Sequence, residues 1–361
     1  MTKKTYFFIG TTAELIKLFP VIRELEQRKI EFKIITSGQT SVNFNEVSSW
    51  IKKTKPDIVL PQKVNQSSVF LFLTWAIRTL FKAPFLLSRE FEKINKSSSF
   101  FIVHGDTVSS LIGAIVVRFF GLKVVHIESG LRSFNFLEPF PEEITRFVIS
   151  RLADIHFCPN KWSLNNLRSV NGQKINTFQN TFLESYVLAR NKLGEPGRRK
   201  TVKGKYCVFV LHRQEHVIFQ RGRSKKLVKS VVRNIPANIK CVFIRHVTNL
   251  GLFESIKNGV FLPRLPYVDF IRLLEGAEFL VTDGGGNQEE AYYMGLPCLL
   301  LREHTERIEG LGENVVLSKN NRKVIKSFFE NYKIYERKRV NIKERPSKII
   351  VDYLWNTRKS A

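Results

Sequence analysis

The sequence predicts an α/β protein built as two doubly wound domains that face a cleft. Three observations lead there. Short β-branched and aromatic runs alternate with longer helical patterns, as parallel βαβ units require. The alternation breaks at Gly194-Glu-Pro-Gly-Arg-Arg-Lys-Thr-Val-Lys-Gly-Lys205, a stretch too rich in glycine, proline and charge to sit inside an element. It then starts again and runs through the second half. A chain of 361 residues is long enough for two such cores. The expected division is 1–185 and 186–345, with 346–361 a terminal helix that packs back on the first domain.

In chain order, strands are expected at 6–9, 32–36, 100–103, 124–127, 155–158 and 175–178, with helices at 13–27, 108–120, 141–152 and 163–169. In the second half strands are expected at 206–211, 241–244, 279–282 and 298–301. The N-terminal Tyr6-Phe-Phe-Ile9 run is too short for a secretory core and leads into Gly10, so it reads as the first strand. The most lipid-like stretch, 69–87, is interrupted by Arg78, Lys82 and Pro84. It reads as an amphipathic helix with a greasy face rather than a membrane span. No repeat of solenoid period is visible.

Composition narrows the function classes. The net charge is +26, and residues 319–348 alone hold eleven Lys or Arg against three Glu. No zinc finger, RNP motif or helix-turn-helix accompanies this charge, so nucleic acid ranks below a solvated basic surface or peripheral membrane association. The four cysteines, Cys158, Cys207, Cys241 and Cys298, lie far apart in apolar runs with no zinc spacing. Free buried thiols in a reducing cytoplasm are the expected state.

The residues that can do chemistry follow strands. Thr282-Asp-Gly-Gly-Gly-Asn-Gln-Glu-Glu-Ala291 joins a strand to a helix ending at Gly295. Its glycines allow close backbone approach, and the helix start suits a phosphate. Two carboxylates, Glu289 and Glu290, are expected on the first turn for ribose hydroxyls. His104-Gly-Asp-Thr107 and His126-Ile-Glu-Ser-Gly-Leu-Arg132 end adjacent strands, which sets Asp106 beside Glu128. Like charges so placed make an acid/base pair. Thr107 or Asp106 is a candidate helix cap. Pro139-Phe-Pro-Glu-Glu-Ile-Thr-Arg146 opens a helix on which Arg146 follows Glu142 by four residues and could hold it. His212-Arg213 leaves a second-half strand. A histidine there can donate a hydrogen bond to a leaving phosphate. The acidic residues match no metal cage, and Lys17, His212 and helix dipoles are expected to neutralise phosphate instead.

Taken in order, these motifs resemble one family over most of the chain: bacterial UDP-N-acetylglucosamine 2-epimerases of the non-hydrolysing type, with their hydrolysing relatives. Gly10-Thr-Thr-Ala-Glu-Leu-Ile-Lys17, Asn180-Thr and Thr305-Glu-Arg-Ile-Glu309 complete the set. The resemblance implies two Rossmann-like domains of the glycosyltransferase-B type and a site in the cleft. It implies loss of the C2 proton as UDP leaves C1, then re-addition on the other face, with no cofactor. Asp106, Glu128 and Glu142 would be the acid/base carboxylates and His212 the aid to UDP departure. Which carboxylate is base and which acid stays open. Gly284, Gly285 and Gly286 would hold phosphate, Glu290 the ribose and Phe270 the uracil. Lys17 and Arg132 would hold substrate or support the site. The resemblance further implies a homodimer; many members bind an activator nucleotide-sugar near the positions of Gln39, Arg213 and His246, and with Thr40 in place of the family's histidine that regulation is expected to be weak or absent.

The chain departs from the family pattern at four places: Thr12-Ala13 for Arg-Pro, Thr40 for His, His216 for Asn, and Gly284 for the Ser of the glycine turn. These fall on nucleotide contacts rather than on the carboxylates. Release of free sugar and UDP by a hydrolysing relative, a glycosyltransferase of the same fold and a basic binding protein are the other readings, in that order.

Overall fold

The computed structural model describes residues 4–61, 69–92, 94–194, 202–211, 221–245 and 259–359. The chain divides into two compact units, Met1–Ser185 with Ile342–Ala361, and Tyr186–Asn341.

The first unit opens with β1 (Thr5–Ile9), α1 (Thr12–Gln27), β2 (Phe32–Thr36), β3 (Ile58–Val59) and α2 (Val69–Phe91). It continues with β4 (Phe100–His104), α3 (Val108–Phe119), β5 (Lys123–Ile127), α4 (Glu142–Leu152), β6 (Ile155–Cys158), α5 (Lys161–Asn165), β7 (Gln173–Asn176) and α6 (Thr181–Asn191), whose last residues enter the second unit. The second unit holds β8 (Tyr206–Val210), α7 (Arg221–Arg233), β9 (Lys240–Ile244), β10 (Gly259–Leu262), α8 (Tyr267–Glu275), β11 (Leu280–Thr282), α9 (Gly285–Met294), β12 (Cys298–Leu300), β13 (Val315–Leu317) and α10 (Arg322–Asn331). The terminal α11 (Pro346–Lys359) returns to the first unit against α1, where Arg28 meets Asp352 and Arg345 meets Glu24 and Glu184.

Both sheets are parallel throughout. Their orders are β3-β2-β1-β4-β5-β6-β7 and β10-β9-β8-β11-β12-β13. Each reverses direction once, between β1 and β4 and between β8 and β11. Right-handed crossovers therefore place α1 and α3 on opposite faces of the first sheet. At such a reversal the loops after the two central strands diverge and leave a crevice at the strand ends.

The sequence explains the strands simply. β1, β4 and β8 are runs of aromatic and aliphatic residues covered on both faces, as parallel strands must be. The first core is aromatic at its centre: Phe91 meets Tyr6 at 5.2 Å, Phe120 at 5.0 Å and Phe101 at 6.1 Å, all edge to face. α2 supplies Phe91, Leu87, Ala83 and Trp75 to this core from one side. Its opposite side exposes Leu73, Ile77, Phe81 and Phe85. The helix is long and apolar enough to cross a membrane by length and composition, but its inner face belongs to the packed core.

The expected elements shift in three instructive places. The seventh strand begins at Gln173, not 175, and ends before Phe178, which takes a left-handed backbone while its N–H donates to Asn176 Oδ1. α5 starts at Lys161, not 163, because Asn160 forms a capping box with Ser163. The edge strands β3, β10 and β13 carry too little pattern to be read. All four cysteines are free and buried.

Phe91 sits at the junction of three rings with no accessible surface. Phe91→Ala should therefore lower unfolding free energy by about 3–5 kcal/mol in urea titration.

Candidate functional site

In the first unit the site grows from the two turns after β4 and β5. Thr107 caps α3, accepting from the Ser110 N–H at 3.0 Å. That leaves the preceding Asp106 carboxylate for another partner, the Arg146 guanidinium. Arg146 also donates to Glu143 at 3.1 Å. Glu143 is fully buried and takes Arg132 Nε and the Ser133 N–H, the latter at 3.0 Å. A row Asp106–Arg146–Glu143–Arg132 results. The four-residue spacing from Glu142 missed Glu143, which lies one turn before Arg146 and points inward. Glu142 itself opens α4 and is half-buried. Arg132 is paired with Glu143. Its guanidinium rests over Phe134, Phe147 and Phe136 at 5.2, 5.6 and 6.0 Å.

Glu128 follows β5 with φ 64°, in the left-handed region that a side chain with a Cβ seldom occupies. Its side chain is 2% exposed. Burying a carboxylate so fully costs several kcal/mol unless it is matched. Lys17 Nζ from α1 matches it, donating to both oxygens at 2.9 and 3.1 Å. Asn180 Nδ2 donates as well, and His104 Nε2 lies at 3.8 Å. Lys17, the residue expected to neutralise phosphate, is paired with Glu128 in this structure. The turn continues through Gly130, where φ is 84° and a Cβ would fall 2.1 Å from the Ser163 carbonyl oxygen. Only glycine fits there.

A further carboxylate, Glu14, had no role in the sequence reading. It is buried and accepts from the Gly10 N–H (2.6 Å), the Thr11 N–H (2.8 Å), Thr107 Oγ1 (2.6 Å) and Ser110 Oγ (3.1 Å). It thereby ties the turn after β1 to the start of α3, across the reversal of the sheet. Burial pushes its pKa up while these hydrogen bonds pull it down. The signal was available: Thr11 and Glu14 form a capping box. Thr12, in place of the family's arginine, turns inward and accepts from the Asn43 N–H at 3.0 Å. Gln39 accepts from Ser109 Oγ at 2.6 Å, and Thr40 donates to the Gly10 carbonyl at 3.0 Å.

The second unit builds a different surface. Gly284 is the N-cap of α9, and the helix's own bonding begins with Gln288 N–H to the Gly284 carbonyl. The amides of Gly285, Gly286 and Asn287 lie outside the helical ladder, the arrangement that receives an anion. A Cβ on Gly285 would lie 2.6 Å from Glu306 Oε1 and 2.8 Å from Arg307 Nε. Gly284 has φ −93°, a conformation any residue adopts, so its glycine is not dictated by the backbone. Because α9 starts at Gly285, Glu289 and Glu290 fall on its second turn, a correction to the first-turn reading. They also differ in use. Glu289 is buried against Arg307 at 2.7 Å and Tyr293 at 3.0 Å. Glu290 accepts from Asn287 Nδ2 at 2.7 Å. Burial, then Glu290, push the Tyr267 phenol well above its ordinary pKa.

Gln288 explains why the 305–309 motif accompanies the glycine turn. It donates to the carbonyls of Arg307 (3.1 Å) and Glu309 (3.0 Å) and accepts from Thr305 Oγ1 (2.8 Å). Buried Arg302 pairs with Glu306 at 2.9 Å in the same loop. Phe270 is half-buried on α8. His212, Arg213, His216 and His246 lie outside the described residues. The structure thus groups Lys17, Glu128, Asp106, Arg146 and Arg132 in one unit, and the glycine turn, Glu290 and Phe270 in the other.

Beneath the first-unit carboxylates lies His126, buried with its Nε2 at 2.7 Å from the Gly105 carbonyl. Burial, then neighbouring His156, push its pKa down to about 3. The unfolded chain takes up this proton near pH 6.5, so the stability His126 confers is complete above that pH and declines as pH falls. At pH 5 the loss is about 2 kcal/mol. The gap in unfolding free energy between wild type and His126→Gln, measured in urea, should narrow by that amount between pH 7 and pH 5.

A family model described as UDP-N-acetylglucosamine 2-epimerase matches residues 23–346. The chain is 30% identical over 334 residues to the UDP-N-acetylglucosamine 2-epimerase of Methanococcus maripaludis, covering 86% of each. It is 28% identical over 347 residues to that of Methanocaldococcus jannaschii, covering 90% of this chain and 91% of the relative. The solved Neisseria meningitidis UDP-GlcNAc 2-epimerase bound to UDP-GlcNAc superposes with TM-score 0.82 at 27% identity, over 98% of this chain and all of that one (100%). The spinosyn rhamnosyltransferase SpnG shares the fold alone, with TM-score 0.53 at 10% identity, over 99% of this chain and 96% of that one.

Proposed function

Because the chain belongs to the UDP-N-acetylglucosamine 2-epimerase family, we propose that it interconverts UDP-GlcNAc and UDP-ManNAc without net hydrolysis. The observation that carries this reading is the pair of carboxylates at neighbouring strand ends, Glu128 held by Lys17 and Asp106 held by Arg146. A proton on C2 of a sugar with no adjacent carbonyl is very weakly acidic. Its removal must be coupled to loss of the C1 substituent. One carboxylate takes the C2 proton, the C–H electrons form the C1–C2 double bond, and the C1–O bond breaks to release UDP. UDP then returns to C1 and a second acid delivers a proton to the opposite face of C2. Asp106, Glu128 and Glu142 are the acid and base candidates, and His212 the group that assists UDP. Nothing is oxidised, so the reaction requires no redox cofactor.

The glycine turn supports the leaving-group role. The free amides at Gly285 and Gly286 suit a diphosphate, Glu290 a ribose hydroxyl and Phe270 the uracil face. Buried Glu306 and Arg307 pack against Gly285, and Arg307 pairs with Glu289 on the same helix; donors held in place this way stabilise developing charge at little reorganisation cost. We assign the reaction to cytoplasmic supply of bacterial surface-polysaccharide precursors. Supporting this are the family and the four buried free thiols.

We further propose a homodimer in which a second copy covers the outer face of α2. Leu73, Ile77, Phe81 and Phe85 recur every fourth residue and are 53–82% exposed, and Phe119 at the end of α3 is 76% exposed. Residues four apart form one of the ridges by which helices pack. A row of exposed large apolar side chains along one helix face suits an interaction surface. Size-exclusion chromatography with light scattering should give twice the chain mass, and Phe81→Asp with Phe85→Asp should give the monomer. A monomeric wild type that pellets with anionic vesicles would assign this face to a membrane instead.

Proton NMR of UDP-GlcNAc with the protein in D₂O tests the activity. The expected result is deuterium at C2 and the manno epimer, with no steady release of free sugar. Steady release of free N-acetylmannosamine and UDP would make the enzyme a hydrolysing relative, and absence of C2 exchange would overturn the reading. Glu128→Gln or Asp106→Asn should lower exchange by about 100-fold or more with UDP affinity nearly unchanged. Glu290→Gln should weaken UDP binding by about tenfold in calorimetry.

A further inference from the structure

We propose that His126 is a positioning residue that locks together the two turns carrying Asp106 and Glu128. The proposal rests on the epimerase reading for its kinetic consequence, but not for its geometry.

The argument begins from hydrogen-bond chemistry. A carbonyl oxygen only accepts, so the 2.7 Å contact between His126 Nε2 and the Gly105 carbonyl requires the hydrogen on Nε2. In a neutral ring Nδ1 is then an acceptor, and Ser129 Oγ faces it at 2.9 Å. His156 Nδ1 lies 3.0 Å from the same hydroxyl and its Nε2 donates to the Asn171 carbonyl at 3.0 Å, so both Nδ1 atoms are acceptors and share the one Ser129 hydrogen. All three side chains are buried, so the row is shielded from solvent exchange and competition.

Its endpoints give it a function. Gly105 immediately precedes Asp106, and Ser129 immediately follows Glu128. One imidazole therefore bridges the residues flanking both carboxylates. Each turn needs such restraint. Gly105 has φ 62° and Glu128 φ 64°. A left-handed glutamate persists only where surrounding contacts hold it. The Gly105 N–H donates to the Ile127 carbonyl at 2.9 Å, so the two turns are already joined on the backbone side. His126 closes the other side. With 1% of its surface accessible, it is too buried to touch substrate.

Two amide variants separate this role from mere bulk. Gln carries its N–H at the distance of Nε2, whereas Asn ends near the position of Nδ1. His126→Asn keeps a polar atom for Ser129 and loses the donor to Gly105; His126→Gln restores that donor. The expected result is a fall of about 100-fold in the rate of C2 exchange for His126→Asn, with KM and UDP affinity within about twofold of wild type. His126→Gln should recover at least about tenfold of the loss. Equal rates in the two variants, or a parallel loss of UDP affinity, would overturn the proposal. Nitrogen-15 NMR of the wild-type protein checks the geometry without activity. It should report the hydrogen of His126 on Nε2, and Ser129→Ala should shift the ring nitrogen signals. A hydrogen on Nδ1 in wild type would overturn the assignment, whereas absence of C2 exchange in wild type would overturn the epimerase reading alone.

Discussion

A carboxylate at the end of a buried parallel strand cannot stand alone, and the matching of such charges organises both units. Glu128 is the clearest case. It leaves β5 into a left-handed turn, and Lys17 and Asn180 reach it from α1 and from the start of α6. Those helices are thereby tied to the strand end on which the carboxylate sits. Removing one partner of such a pair is far more damaging than its net stabilisation suggests, because the other charge stays buried. The same logic recurs with Glu143 between two arginines, Glu14 among four donors and Glu289 against Arg307.

These buried pairs change the meaning of the basic composition. The chain has 58 Lys and Arg against 32 Asp and Glu. Lys17, Arg132, Arg146, Arg302 and Arg307 are turned inward on carboxylates. The fan of phenylalanines around Arg132 holds its guanidinium by packing as well as by charge. The unmatched excess elsewhere is a matter of surface potential.

Legibility followed the strength of local pattern. Interior strands such as 32–36 and 155–158 were readable to the residue, since each holds a short run of buried β-formers bounded by polar or turn-forming residues. Edge strands were not: Ile58–Val59 is two residues long, and β10 carries a glycine against Phe243. The catalytic candidates Asp106 and Glu128 stood out because they follow strands beside glycine or serine. Their partners did not. Asn180 and Lys17 come from 52 and 111 residues away from Glu128, and no local rule links them. On α4 the spacing rule selected Glu142 where burial selects Glu143, since helical spacing allows both three and four residues.

By itself the sequence determined the parallel α/β plan, the positions of the strand-end motifs and the family, because hydrophobic period and motif order are local properties. The tertiary structure decided what each charge is for. It placed Lys17 on Glu128, Arg146 between Asp106 and Glu143, Gln288 under the 305–309 loop and His126 between two turns. The physical reason is that the energy of a buried charge or hydrogen bond depends on which groups the fold brings within about 3 Å, and sequence separation carries no information about that distance.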